Sequence, residues 1–142
     1  MAVPFRFDVV LRVREADRDR CRGQLAQEQN VQSVLMAERE RVHQERTQIL
    51  QELTQLQSRE QWSAQNALVL HQQAERLEVE LLRIEEDLKR AVENVARCLM
   101  ELTEANTSVL GLEKLAERHK ADQSRLELKA SERDREDSWR AA

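Results

Sequence analysis

The chain has 142 residues, 35% of them charged and only 3% aromatic, with two Gly, one Pro and a net charge of −4. Globular domains average about 25% charged residues, and a compact core needs more large apolar side chains and more turns than this chain supplies. A sequence so poor in breakers and rich in Leu, Ala, Glu, Gln and Arg favours long helix. The charge is uneven: six Arg face four acids in residues 1–23, nine basic face sixteen acidic residues in 24–113, and eight face seven in 114–142. Nothing there resembles the dense basic patch of a nucleic-acid binder. No apolar run approaches the ~18 residues of a membrane span, and no signal-peptide pattern is present. Together these predict a single all-α coiled-coil domain over residues 1–142, located in the cytoplasm.

The first helix is expected over about residues 5–57. Pro4 suits a helix start. The apolar residues Leu11, Cys21, Leu25, Leu35, Val42 and Ile49 fall on alternating steps of three and four, but Arg14, Arg18, Glu28, Gln32, Arg39 and Arg46 share their seam. Gly23 sits inside this pattern and weakens it by roughly 1 kcal/mol. A hinge is expected at about 58–66, where Glu60 and Ser63 occupy the seam and Trp62 would point outward from an unbroken helix; Ser58 or Ser63 then caps the next helix.

The second helix is expected over about 67–130. Its seam is stronger and reads Ala67, Leu70, Ala74, Leu77, Leu81, Ile84, Leu88, Ala91, Val95, Cys98, Leu102, Ala105, Val109, Leu112 and Ala116. Globular amphipathic helices rarely keep a strict 3.5-residue period for so long. Residues 131–142 read as a frayed charged tail. In an antiparallel pair, facing seam residues have a constant index sum. A sum of 123 sets Val42 against Leu81, Leu35 against Leu88, and Leu11 against Leu112, with Arg39 and Arg46 facing Ile84 and Leu77 along their aliphatic stems. On this pairing, residues beyond about Leu115 have no partner. The resulting fold is a long antiparallel two-helix coiled-coil hairpin; one continuous helix in a parallel dimer satisfies the same period.

Catalytic machinery is not apparent in the sequence. There is no Gly-rich phosphate loop, and His43, His71 and His119 lack the clustering a metal needs. Neither a catalytic site, a cofactor nor a metal is expected. Cys21 and Cys98 read as small reduced seam residues. The acidic run Glu78, Glu80, Glu85, Glu86 and Asp87 is a solvated helix face or a docking surface for a basic partner. Phe5 and Phe7, the only two Phe, are either a hydrophobic staple at the helix start or an anchor for another protein.

The two ends carry a family resemblance. Phe5-Arg6-Phe7-Asp8-Val9-Val10-Leu11-Arg12-Val13-Arg14-Glu15 resembles the opening of the FliJ family of flagellar export proteins, an aromatic pair followed by a "VL.LRE" segment running into a charged helix. Leu112-Glu113-Lys114-Leu115-Ala116-Glu117-Arg118 is similar to that family's "LEKLKER" segment and is followed, as in the family, by a Glu/Arg-rich stretch from Glu132 to Asp137. The tail with Trp139 matches only in charge pattern, and the hinge lacks the glycines of some members.

The resemblance implies a cytoplasmic, stalk-like component of the flagellar type III export apparatus, peripheral at the inner face of the cell membrane. Its implied partners are the hexameric export ATPase, whose ring it binds and stimulates, the membrane export gate protein, and export chaperones. The motif positions carried over as partner-binding residues are Phe5, Phe7, Val10, Leu11, Arg14 and Glu15, with Leu112, Glu113, Lys114, Leu115 and Glu117. A structural coiled-coil scaffold and the stalk protein of a virulence-type injectisome are the alternative readings.

Overall fold

The computed structural model describes residues 4–59 and 63–141. The fold is all-α, with two long helices packed antiparallel as a helical hairpin: α1 spans Asp8–Gln57 and α2 spans Ala64–Ala141. The parallel-dimer alternative, which needs one continuous helix, is therefore not the arrangement of this chain. Glu60 and Trp62, which marked the expected hinge, lie outside the described residues.

Both helix starts have local causes. The Phe7 carbonyl accepts from the Leu11 N–H at 2.8 Å, and the Phe5 carbonyl accepts from Asp8 N–H at 3.1 Å. Asp8 then places a carboxylate in the first turn, where the helix dipole favours it. At the other helix, the Ser63 carbonyl accepts from Ala67 N–H at 3.0 Å, and its hydroxyl accepts from Asn66 N–H at 3.4 Å. Ser63 is thus the cap of α2, in the position where a capping oxygen meets the third helical amide. The aromatic pair precedes α1 instead of belonging to it, because Phe7 holds the cap position.

Spatial contacts divide the chain into two compact units: Met1–Gly23 with Met100–Ala142, and Gln24–Leu99. In the Gln24–Leu99 unit, Val42, Leu77, Leu81, Ile84 and Leu88 form a buried cluster, with Leu35 and Ile49 packed against it. These are the seam residues that the heptad reading sets face to face. Each large aliphatic side chain buried this way contributes roughly 1.5–3 kcal/mol, and Val42, with no exposed surface, sits at the centre.

Ion pairs flank that cluster. Arg39 reaches Glu85 at 3.6 Å and Arg46 reaches Glu78 at 3.8 Å. Both arginines are seam residues whose stems lie half-buried while their guanidinium groups turn to the α2 carboxylates. Arg41 joins Glu45 at 2.6 Å, Glu38 at 3.5 Å and Glu80 of α2 at 3.8 Å. The hydrogen bond and charge of Glu45 raise the Arg41 pKa above its ordinary value. The pairs Arg39–Glu85 and Arg46–Glu78 have residue numbers adding to 124, within one residue of the register read from the seam.

In the unit of Met1–Gly23 and Met100–Ala142, Cys21 and Val109 are buried, and Leu11, Leu102, Ala105, Leu112, Ala116 and His119 are half-buried. Packed contact therefore continues past Leu115, where the seam arithmetic ended it. The segment read as a frayed tail is helix to Ala141, and every residue from Ser124 to Ala141 is exposed. Its Glu, Arg, Lys, Leu and Ala content, with no Gly or Pro, supports helix without a facing partner.

Candidate functional site

The residues that carry the sequence resemblance lie in one unit. Phe5 is half-buried and its ring stands edge-on to Phe7, with centroids 5.9 Å apart. It also packs on His119 of α2 at 5.7 Å. Phe5 therefore touches the second helix as well as its own neighbour in the pair. Phe5 and His119 again have numbers adding to 124.

Phe7 is 38% exposed, with the Arg6 guanidinium 5.5 Å from its ring centroid, within range of a cation–π contact. Val9, Val10 and Val13 follow it and are likewise exposed. Large apolar side chains exposed side by side mark contact surfaces more often than isolated ones do.

The remaining predicted positions sort by exposure. Leu11, Glu15 and Leu112 are half-buried on the packed side. Val10 and Leu115 are each 42% exposed. Arg14, Glu113, Lys114 and Glu117 are exposed, and Arg14 holds Asp17 at 3.9 Å. Arginine–aspartate pairs run along the same stretch of α1: Arg12–Asp8 at 3.2 Å, Arg20–Asp17 at 3.7 Å and Arg22–Asp19 at 3.7 Å. Such exposed pairs contribute roughly 0–1 kcal/mol each, so the run is a hydrated charged surface. Arg18 is the exception: its Nε is buried without a hydrogen-bond partner, and the Asp19 carboxylate 3.5 Å away is not aligned to accept from it.

Arg14, Asp17 and Arg20 of α1 and Glu101 and Glu104 of α2 flank an open cleft of about 240 Å³. It is lined by charges of both signs and open to water, which gives no desolvated setting for acid–base or nucleophilic chemistry. Among the described residues no three His, Cys, Asp or Glu side chains come together as a metal site, and no described helix is long and apolar enough to cross a membrane. At the beginning of α1 the unit presents aromatic and aliphatic groups bordered by charge.

No known protein family, curated protein or solved structure matches the chain. The functional reading therefore rests on the chain's own residues. Two of those, His119 and Arg6, were not singled out as site residues from the sequence. His119 stands one heptad after Leu112, so its seam position was visible, but its aromatic partner precedes α1 and lies outside any heptad count.

Proposed function

We propose that this chain is a FliJ-like stalk component of a flagellar type III protein export apparatus. It binds and stimulates the hexameric export ATPase, links it to the membrane export gate, and engages export chaperones, without a catalytic site of its own. On this reading it works in the cytoplasm, at the inner face of the cell membrane. The observation that supports the proposal is the place of the first FliJ-like segment: its Phe5 packs on His119, the residue that directly follows the second segment Leu112–Arg118. The first motif thus lies beside the end of the second, which supports reading the two as parts of one partner-binding surface.

The physical demands of coupling fit this surface. A stalk needs stiffness, which a double-helical seam supplies, and contacts that release as readily as they form. Exposed ion pairs of roughly 0–1 kcal/mol supply the second. Aromatic anchors carry the largest share of interface energy, roughly 2 kcal/mol or more each, which assigns the specific hold to Phe5 and Phe7.

The test is co-purification of the full chain with an export ATPase, followed by ATP hydrolysis rates with and without it. Phe5→Ala combined with Phe7→Ala should abolish stimulation while the helical circular dichroism persists. Reversing the acidic face at Glu85 and Glu86 should leave stimulation largely intact. Normal stimulation by the Phe double variant, together with loss in the acidic-face variant, would reverse the assignment.

A further inference from the structure

Four arginines of the Gln24–Leu99 unit lie on one line. Arg76, Arg83, Arg90 and Arg97 recur every seven residues of α2, and all four are exposed. With Ala74, Leu81, Leu88 and Val95 on the seam, these arginines occupy one outward heptad position. Successive members rise about 10.5 Å along the helix. The packing against α1 does not employ them. Cross-helix ion pairs run the opposite way, from Arg39, Arg41 and Arg46 of α1 to Glu85, Glu80 and Glu78 of α2. Among the described residues, the ion pairs of α2 involve His71, Glu75, Glu78, Glu80, Glu85, Asp122 and Arg125 and none of the four, although Glu80, Glu86, Asp87, Glu93 and Glu101 lie within one turn of the ladder.

We propose that this arginine ladder docks an acidic α-helix of a partner protein, one presenting Glu or Asp at every seventh residue. This goes beyond the export reading and does not depend on it. Three features select that occupant. The seven-residue repeat is the repeat of a helix lying alongside another helix, and a helix with matching spacing meets all four arginines at once. Arginine, unlike lysine, offers a planar fork that grips a carboxylate with two hydrogen bonds. The flanking Glu86, Asp87 and Glu93 repel a continuous polyanion, so a nucleic-acid backbone or an anionic bilayer is a poor match, whereas point charges spaced to the ladder avoid them. The arrangement also tolerates motion: a shift of one heptad keeps three of the four pairs.

The experiment uses the full chain and two fluorescein-labelled synthetic helices of four heptads each. One carries a single Glu at the same position of every heptad; its isomer has the same composition with the glutamates moved off that spacing. Anisotropy titrations should show the spaced peptide binding about tenfold or more tighter than the isomer, with affinity falling as salt rises. Replacing all four arginines by Gln should weaken the spaced peptide about tenfold or more at unchanged helical signal. Replacing them by Glu should transfer preference to a peptide carrying Arg at the same spacing, and Arg83→Gln alone gives a smaller loss should the fourfold variants not fold. Equal binding of the two isomers overturns the proposal. So does undiminished binding by the Gln variants, or a ladder that binds only duplex DNA or phosphatidylserine vesicles.

Discussion

Gly23 and Gly111 lie inside α1 and α2, and replacing either with alanine should stabilise the chain. A glycine in a helix interior costs about 1 kcal/mol relative to alanine, part of it through the larger conformational freedom of the unfolded chain. The gain is realised only where the native backbone accepts a Cβ. Neither glycine has a positive φ, and an added Cβ at either position meets nothing within 4 Å. Both residues are exposed, so no packing is displaced. Each substitution should therefore add about 1 kcal/mol, and the double variant about 2 kcal/mol if the sites act independently. For a chain of this size that is a rise in Tm of roughly 3–5 °C per substitution. Thermal and urea melts followed by the helical circular dichroism signal measure it. A fall in Tm for either variant would refute the reasoning, since it would mean that the glycine supports a bend or close approach. Loss of partner binding with raised Tm would instead place the glycine against a partner's backbone.

Val42→Ala should lower stability by roughly 2 kcal/mol, because the side chain has no exposed surface and sits in the main cluster; Val79→Ala, at 67% exposure, should stay within about 0.5 kcal/mol. Equal urea midpoints for the two would contradict the assignment of the core. Cys21 and Cys98 are free and buried, so replacing both with Ala should cost about 1 kcal/mol each and leave partner binding nearly unchanged. Loss of binding at near-native helicity would give the thiols a role that packing does not.

The seam was legible because an a/d repeat is a direct record of burial. From Ala67 to Ala116 every seam position of α2 is buried or half-buried, and in α1 even the polar members Arg18, Glu28, Gln32, Arg39 and Arg46 are half-buried. Arg14 alone stands out as exposed. Polar residues kept their seam places because long stems cover apolar surface while their ends reach water or a carboxylate. The pairing register was readable only up to a shift of one heptad, since registers displaced by seven fit the same period; the Arg39–Glu85 and Arg46–Glu78 pairs place it beside the sum of 123.

Features outside the heptad repeat were harder to read. Residues 4–7 are not helical, so Phe5 follows no periodicity, and its contact with His119 extends the packed region beyond the point where counting stopped it. A seam count also treats every outward position alike. It does not separate acids turned inward to Arg39, Arg41 and Arg46 from arginines left without a described partner. Which charges pair within the hairpin depends on which flank of each helix faces the other, and that follows only from the three-dimensional crossing. With Glu78, Glu80 and Glu85 committed to α1, the outward arginines and the exposed Val9, Val10 and Val13 are chemistry that the packing of the two helices does not use. In a two-helix chain with so thin a core, such exposed faces are where the proposed recognition would reside.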